Sequence, residues 1–232
     1  MTSIDFVDVL WEKQEEYMEH LPRVWSRFNS FENVFNYFEP GQTVAQIACG
    51  NIVDDLFLTM GKIGKNGKII LIDKKPDFIY NRLLKIVGKE NLPKEKIFYV
   101  KTKKGKKQLQ HMFSTANIEA YVQRLPPYPR QIPDESLNHV MAINAAVELM
   151  SRYSKEPPPD TVGIVVETHK KLKNGGSLIV QGIVDGDTNG FASYVYRANE
   201  KNGINFMKER SLKFSPLKRW QAGEWKRWVK EG

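Results

Sequence analysis

Hydrophobic and polar positions alternate along the chain in two rhythms. Val9, Leu10, Tyr17, Met18 and Leu21 form a loosely amphipathic set, and Phe31, Val34, Phe35 and Phe38 fall at i, i+3, i+4 and i+7. These predict a helical cap over residues 1–40, closed by Pro40-Gly41. Thr43-Val-Ala-Gln-Ile-Ala-Cys49 is a short apolar run that breaks at Gly50-Asn51, as a buried strand entering a tight turn would. Val53, Leu56, Phe57 and Met60 then repeat with helical spacing, with Asp54 and Asp55 in a first turn where the helix dipole favours acids. Asn66-Gly67 turns the chain into Lys68-Ile-Ile-Leu-Ile-Asp73, a second apolar strand that ends in an acid.

The alternation continues to residue 183. Phe78 to Val87 reads as a helix, Pro93 to Val100 has room for a short strand, and Gln108 to Ala116 reads as a helix. Ile118 to Gln123 alternates as a strand, and four prolines between Pro126 and Pro133 require an irregular loop. Leu137 to Ile143 is a strand, Asp160 to Leu172 a helix stopping at Asn174-Gly175-Gly176, and Ser177 to Gly182 another strand. Five strands separated by helices predict an α/β fold with a mostly parallel sheet, helices covering both faces.

Composition narrows the class of protein. With 41% hydrophobic and 27% charged residues and no apolar run near the roughly 18 needed to span a bilayer, the chain reads as globular. The first residues lack a signal-peptide pattern, so a cytoplasmic location is expected. Cys49 is the only cysteine, which excludes an internal disulfide and a multi-cysteine zinc site, and the four histidines are dispersed; no metal is expected. A formal charge of +8 favours anionic partners, RNA or an acidic protein surface among them. Five lysines lie within Lys101 to Lys107, a pattern usual for a solvated loop or helix start. Lys213 to Lys230 interleaves three tryptophans with six basic residues, suited either to stacking on bases or to a terminal helix in which Trp225 and Trp228 pack at i and i+3.

Ligands of open parallel sheets bind outside the carboxyl ends of the strands. That rule selects Ala48 to Ile52, Asp73 to Lys75, Arg124 with Leu125, and Asn144 with Ala145. It leaves His139, near the start of its strand, and His111 and His169, in expected helices, with structural or surface roles. Gly50 permits close backbone approach. Asp73, 23 residues further on, has the spacing at which a strand-end acid meets vicinal ribose hydroxyls.

Val44-Ala-Gln-Ile-Ala-Cys-Gly-Asn-Ile52 resembles the glycine-rich motif V-L-D-L-G-C-G-x-G of class I S-adenosylmethionine-dependent methyltransferases. Lys68 to Asp73 resembles that family's second strand, and Ile118 to Gln123 with Ile132 to Val140 its third and fourth. Leu172-Lys-Asn-Gly-Gly-Ser-Leu-Ile-Val180 is similar to its L-K-P-G-G-x-L-x-V turn, the most specific of these matches. The resemblance implies a Rossmann-like, mostly parallel seven-stranded sheet ending in an antiparallel hairpin, placed here in Phe191 to Phe214 with Ala198 to Asn205 around its turn. It also implies one domain over residues 1–232, with the cap (1–40), a cofactor core (41–183), and a hairpin with basic Trp-rich tail (184–232). S-adenosylmethionine is the implied cofactor, held by Gln46, Ala48, Cys49, Gly50, Asp73, Lys74, Arg124, Leu125 and Asn144.

The family's acid is replaced at Gln46, its first motif glycine is Ala48, its last is Ile52, and Arg124-Leu-Pro126 stands where G-D-A is common. Its Asn/Asp-Pro-Pro-aromatic signature is absent after Asn144. Methyl transfer needs alignment more than a nucleophilic side chain, so Glu148 and Tyr17 are the only candidate bases, both on the acceptor side. The expected function is methyl transfer to a small molecule or to RNA. The alternative is a catalytically inactive domain of the same fold acting as a binding or scaffold subunit on RNA or a ribonucleoprotein. A nicotinamide oxidoreductase lacks its G-x-G-x-x-G fingerprint here.

Overall fold

The structure, a computed structural model, describes residues 6–25, 35–49, 54–88, 98–101, 107–114, 117–142, 160–182, 187–213 and 224–232. In chain order the elements are α1 (Phe6–Trp25), β1 (Thr43–Ile47), α2 (Asp54–Ile63), β2 (Lys68–Asp73), α3 (Pro76–Val87), β3 (Phe98–Lys101), β4 (Lys107–Ser114), β5 (Ile118–Val122), β6 (Leu137–Ala142), α4 (Thr161–Lys171), β7 (Leu172–Gly182), α5 (Asp187–Asn202), β8 (Phe206–Lys213) and β9 (Glu224–Lys230). They divide into two compact units, Met1–Thr43 with Cys49–Gln123, and Val44–Ala48 with Arg124–Gly232.

In the first unit the strand order is β3-β4-β5-β2. β2 and β5 are parallel, registered from Ile69↔Ile118 to Asp73↔Val122. Residues 69–73 are all buried, which is why this strand reads as an unbroken apolar run. α2 buries Leu56, Phe57, Met60 and Ile63. α1 lies against it, with the Tyr17 ring 5.1 Å from that of Phe57 and Gln14 donating to the Phe57 carbonyl. α3 begins with Pro76, where a missing N–H costs nothing, and ends at Gly88, whose φ of 78° and N–H to the Leu84 carbonyl close its last turn.

One expectation fails here. The pattern of Gln108 to Ala116 predicts a helix, whereas Lys107 to Ser114 form β4, antiparallel to β5 on one side and to β3 on the other. Cross-strand hydrogen bonding on both sides overrides a weak helical pattern. His111 therefore sits on a strand, and the short strand expected before Val100 is β3.

In the second unit the order is β1-β6-β7-β9-β8. β1, β6 and β7 are parallel; β9 and β8 follow antiparallel. Asp160 caps α4 by accepting from the Gly163 N–H at 2.8 Å. The Leu172 to Gly176 turn then leads into the buried part of β7, and its two glycines serve different ends. Gly175 has a φ of 77°, while a Cβ on Gly176 would sit 2.8 Å from the carbonyl oxygens of Asn138 and Lys173. His139 is buried and its Nδ1 lies 2.8 Å from Ser177 Oγ on the neighbouring strand, a structural role.

The antiparallel hairpin exists, but further along than expected. Phe191 to Asn202 belong to α5, which buries Phe191, Val195 and Ala198, and the hairpin is β8–β9. The expected terminal helix is therefore strand β9. Trp225 and Trp228 do pack, at 2% and 0% exposure, but as members of a strand paired on both sides. Among the described residues, the seven strands that the resemblance implies are thus all present, together with β3, expected from the local pattern, and β4, which was not. Among the same residues no helix is long and apolar enough to cross a membrane.

Candidate functional site

In the first unit, the carboxyl ends of β2 and β5 are locked together by the Gln123 N–H, which donates to the Asp73 carbonyl at 2.9 Å. Asp73 is 3% exposed, and its Oδ1 accepts from the Lys75 N–H at 2.9 Å. That bond fixes the carboxylate at the strand end. Lys74 and Lys75, the next two residues, are exposed on the same edge.

A second acid of this unit does more than its sequence position suggests. Asp55 sits in the first turn of α2, where the helix dipole alone would explain it, but it is buried and paired with Arg82 of α3, Nη2 to Oδ1 at 2.5 Å. Arg82 is fully buried, and its Nη1 also reaches the Cys49 carbonyl at 3.5 Å. One guanidinium thus touches both flanks of residues 50–53. The sequence does carry a signal for it: Arg82 lies three residues after Ile79 and four before Ile86, on the apolar face of α3. An arginine there has to find a buried partner.

The pKa of the Cys49 thiol is pushed up to about 12, chiefly by burial and also by the Asp73 and Asp55 carboxylates, with Arg82 opposing. Cys49, Asp55, Asp73 and Arg82 therefore form one electrostatic cluster. A thiol held protonated and 5% exposed is a poor nucleophile. Iodoacetamide is expected to leave native Cys49 unmodified at pH 8 and to label it rapidly in denaturant; quick native labelling, read by mass spectrometry, would contradict this environment.

In the second unit, Gln46 is buried within β1, and Ala48 follows the strand with a φ of 48°. That is the left-handed conformation that glycine adopts freely, which accounts for a glycine at the matching position of the family motif. Arg124 is exposed and Leu125 buried just after β5, before a loop in which Tyr128 bonds Thr168 at 2.8 Å. Gly50, Ile52, Asn144 and Glu148 lie outside the described residues. Tyr17 packs through its ring on Phe57. His169 of α4 accepts from the Asn205 N–H and packs edge-on to Phe206, again a structural role.

No family model matches the sequence, and a search of curated proteins returns no match. Solved structures do match in fold. A SAM-dependent methyltransferase from Aquifex aeolicus superposes with a TM-score of 0.58 at 13% identity, over 94% of this chain and 98% of that one. The chain provisionally assigned as a methyltransferase in a complex with the Haloferax volcanii Trm112 methyltransferase activator gives 0.52 at 12% identity, over 97% of both. Precorrin-6y C5,15-methyltransferase from Geobacter metallireducens gives 0.50 at 11%, over 87% and 86%. The chain has the Rossmann-like fold of class I S-adenosylmethionine-dependent methyltransferases.

Proposed function

We propose that the protein transfers a methyl group from S-adenosylmethionine, both units belonging to one methyltransferase-like domain. The observation that carries this reading is Asp73: a buried, rigidly oriented carboxylate at the end of the second strand of this fold. Two vicinal ribose hydroxyls are the natural donors to such an acceptor. The left-handed backbone at Ala48 supports the same reading, because a motif lacking its glycine still takes the glycine-like turn. When bound, the cofactor supplies a methyl on a sulfonium, open to in-line displacement by an acceptor atom. The chain's own contribution is binding and orientation: Asp73 holds the ribose, and Arg82 anchors the backbone at Cys49. Neither the thiol of Cys49 nor the paired Asp55 has a proton-transfer role.

Gln46 and Leu125, standing where the family has acids, favour the second reading, a domain that keeps the fold and has lost the reaction. Isothermal titration with S-adenosylmethionine and S-adenosylhomocysteine separates the two. Micromolar binding that weakens at least tenfold in Asp73→Ala, about 1.4 kcal/mol or more, is the expected result. No heat from either ligand, in protein shown to be folded, would transfer the assignment to the inactive scaffold.

A further inference from the structure

We infer that Gln181 is a specificity-determining residue for the methyl acceptor: its side-chain carbonyl, at the carboxyl end of β7, takes a hydrogen bond from an uncharged N–H or O–H group of that molecule. This deepens the methyltransferase reading by naming the chemistry of the acceptor, and it rests on that reading for the reaction though not for the binding.

Strand register fixes the height of Gln181 in the second unit. Gln46 of β1 is level with Met141 of β6, and Met141 with Ile179 of β7. Gln181 stands two residues further along, about 6–7 Å of extended chain. At that height β1 has ended and the backbone turns at Ala48. β6 ends at Ala142, level with Val180, so Gln181 and Gly182 project past it. The three strands are parallel, and ligands of open parallel sheets bind at this carboxyl edge.

Strand alternation fixes the face. Leu178 and Val180 pair with Trp228 and Lys226 of β9, and both of those reach α5: Lys226 donates to Asn189, and the Trp228 ring lies 5.9 Å from that of Phe191. Ile179 and Gln181 therefore face away from α5. Trp225 is the cross-strand partner of Gln181 and is 2% exposed, so a large buried ring stands beside the amide on that face.

The amide lacks a donor. Gln181 as a whole is 8% exposed, but its Oε1 is shielded from solvent, and among the described residues that oxygen accepts no hydrogen bond. Gln14, buried to a similar extent, uses its amide on the Phe57 carbonyl. A shielded carbonyl without a donor lowers stability, and an apolar side chain of the same length would avoid the loss. Stability given up at the ligand edge of a sheet is the signature of a group reserved for binding. A charged donor would have to shed its hydration to reach this oxygen, so neutral groups are favoured: an amide N–H or a hydroxyl.

The test compares wild type with Gln181→Met, which keeps the length of the side chain and removes its acceptor. Its thermal midpoint should rise by about 2–4 °C, because an orphaned polar atom is lost. An unchanged or lowered midpoint would mean that the oxygen is already satisfied within the fold, by an internal water, and would overturn the proposal. Saturation-transfer NMR then reads binding, with S-adenosylhomocysteine present and absent. Phenol and benzamide are the probes that carry a donor; anisole and N,N-dimethylbenzamide are their counterparts without one. We expect phenol and benzamide to bind wild type at millimolar concentration and Gln181→Met at least tenfold more weakly, with each counterpart binding the two proteins alike. Equal binding of the donor probes to both proteins, an equal loss for the counterparts, or no binding of either donor probe would overturn the role of Gln181. Titration of both proteins with S-adenosylhomocysteine keeps the two ideas apart. Absent cofactor binding with intact Gln181-dependent probe binding removes the methyltransferase reading alone, and the reverse removes the role of Gln181 alone.

Discussion

Replacing Arg82 with alanine is expected to destabilise the protein by about 3–5 kcal/mol, because it leaves Asp55 buried without its counter-charge. The size of the effect comes from desolvation. Both side chains are almost completely out of water, at 0% and 2% exposure, so the orphaned carboxylate must ionise unpaired, take up a proton, or drag the helix open. Arg82→Lys should recover only part of the loss, since an ammonium cannot reproduce the guanidinium's simultaneous reach to Asp55 and the Cys49 carbonyl. The double replacement Asp55→Leu/Arg82→Met removes both charges together and is expected to stay within about 1–2 kcal/mol of wild type. Urea denaturation of the four proteins reads the comparison directly. Equal losses in Arg82→Ala and the double variant would mean that packing rather than charge sets the cost.

The second large effect is expected at Trp228. Its side chain is fully buried on β9, between β7 and β8, with its ring 5.9 Å from that of Phe191. Trp228→Ala should cost about 3–5 kcal/mol by opening a cavity between the strands and α5. Trp228→Phe should cost much less, because among the described residues the indole N–H of Trp228 has no hydrogen-bond partner that phenylalanine would forfeit. Thermal unfolding of the two variants provides the measurement. A mild Trp228→Ala would place this residue in a surface role and return the C-terminal stretch to base stacking.

Those two sites mark opposite kinds of legibility. Trp225 and Trp228 are spaced i and i+3, which suits one face of a helix, and nothing local distinguishes that from a strand buried on both faces. Only the pairing partners on either side of β9 decide it. β4 is illegible for the same reason: Gln108 to Ser114 has a mixed pattern, and its strand state depends on β5 and β3, one of them contributed by residues downstream. Arg82 is legible in principle as a charge on an apolar helix face, whereas its partner Asp55, placed in a helix's first turn, already has a sufficient local explanation.

The chain's local code is enough for the strand–helix–strand from Thr43 to Asp73, for β5 to β7, and for the glycine turn at Gly175-Gly176, because buried parallel strands are continuous apolar runs and left-handed turns call for glycine. It is also enough to put Asp73 at the carboxyl end of β2, since a parallel strand's direction is set by its order in the chain. The tertiary structure alone decided that Arg82 ties Cys49 to Asp55, that the antiparallel pair of the second unit is built from Phe206–Lys213 and Glu224–Lys230, and that Lys107 is carried past the end of β5. Each of these depends on residues far apart in sequence meeting in space, and burial and cross-strand hydrogen bonding outweigh local propensity wherever the two compete.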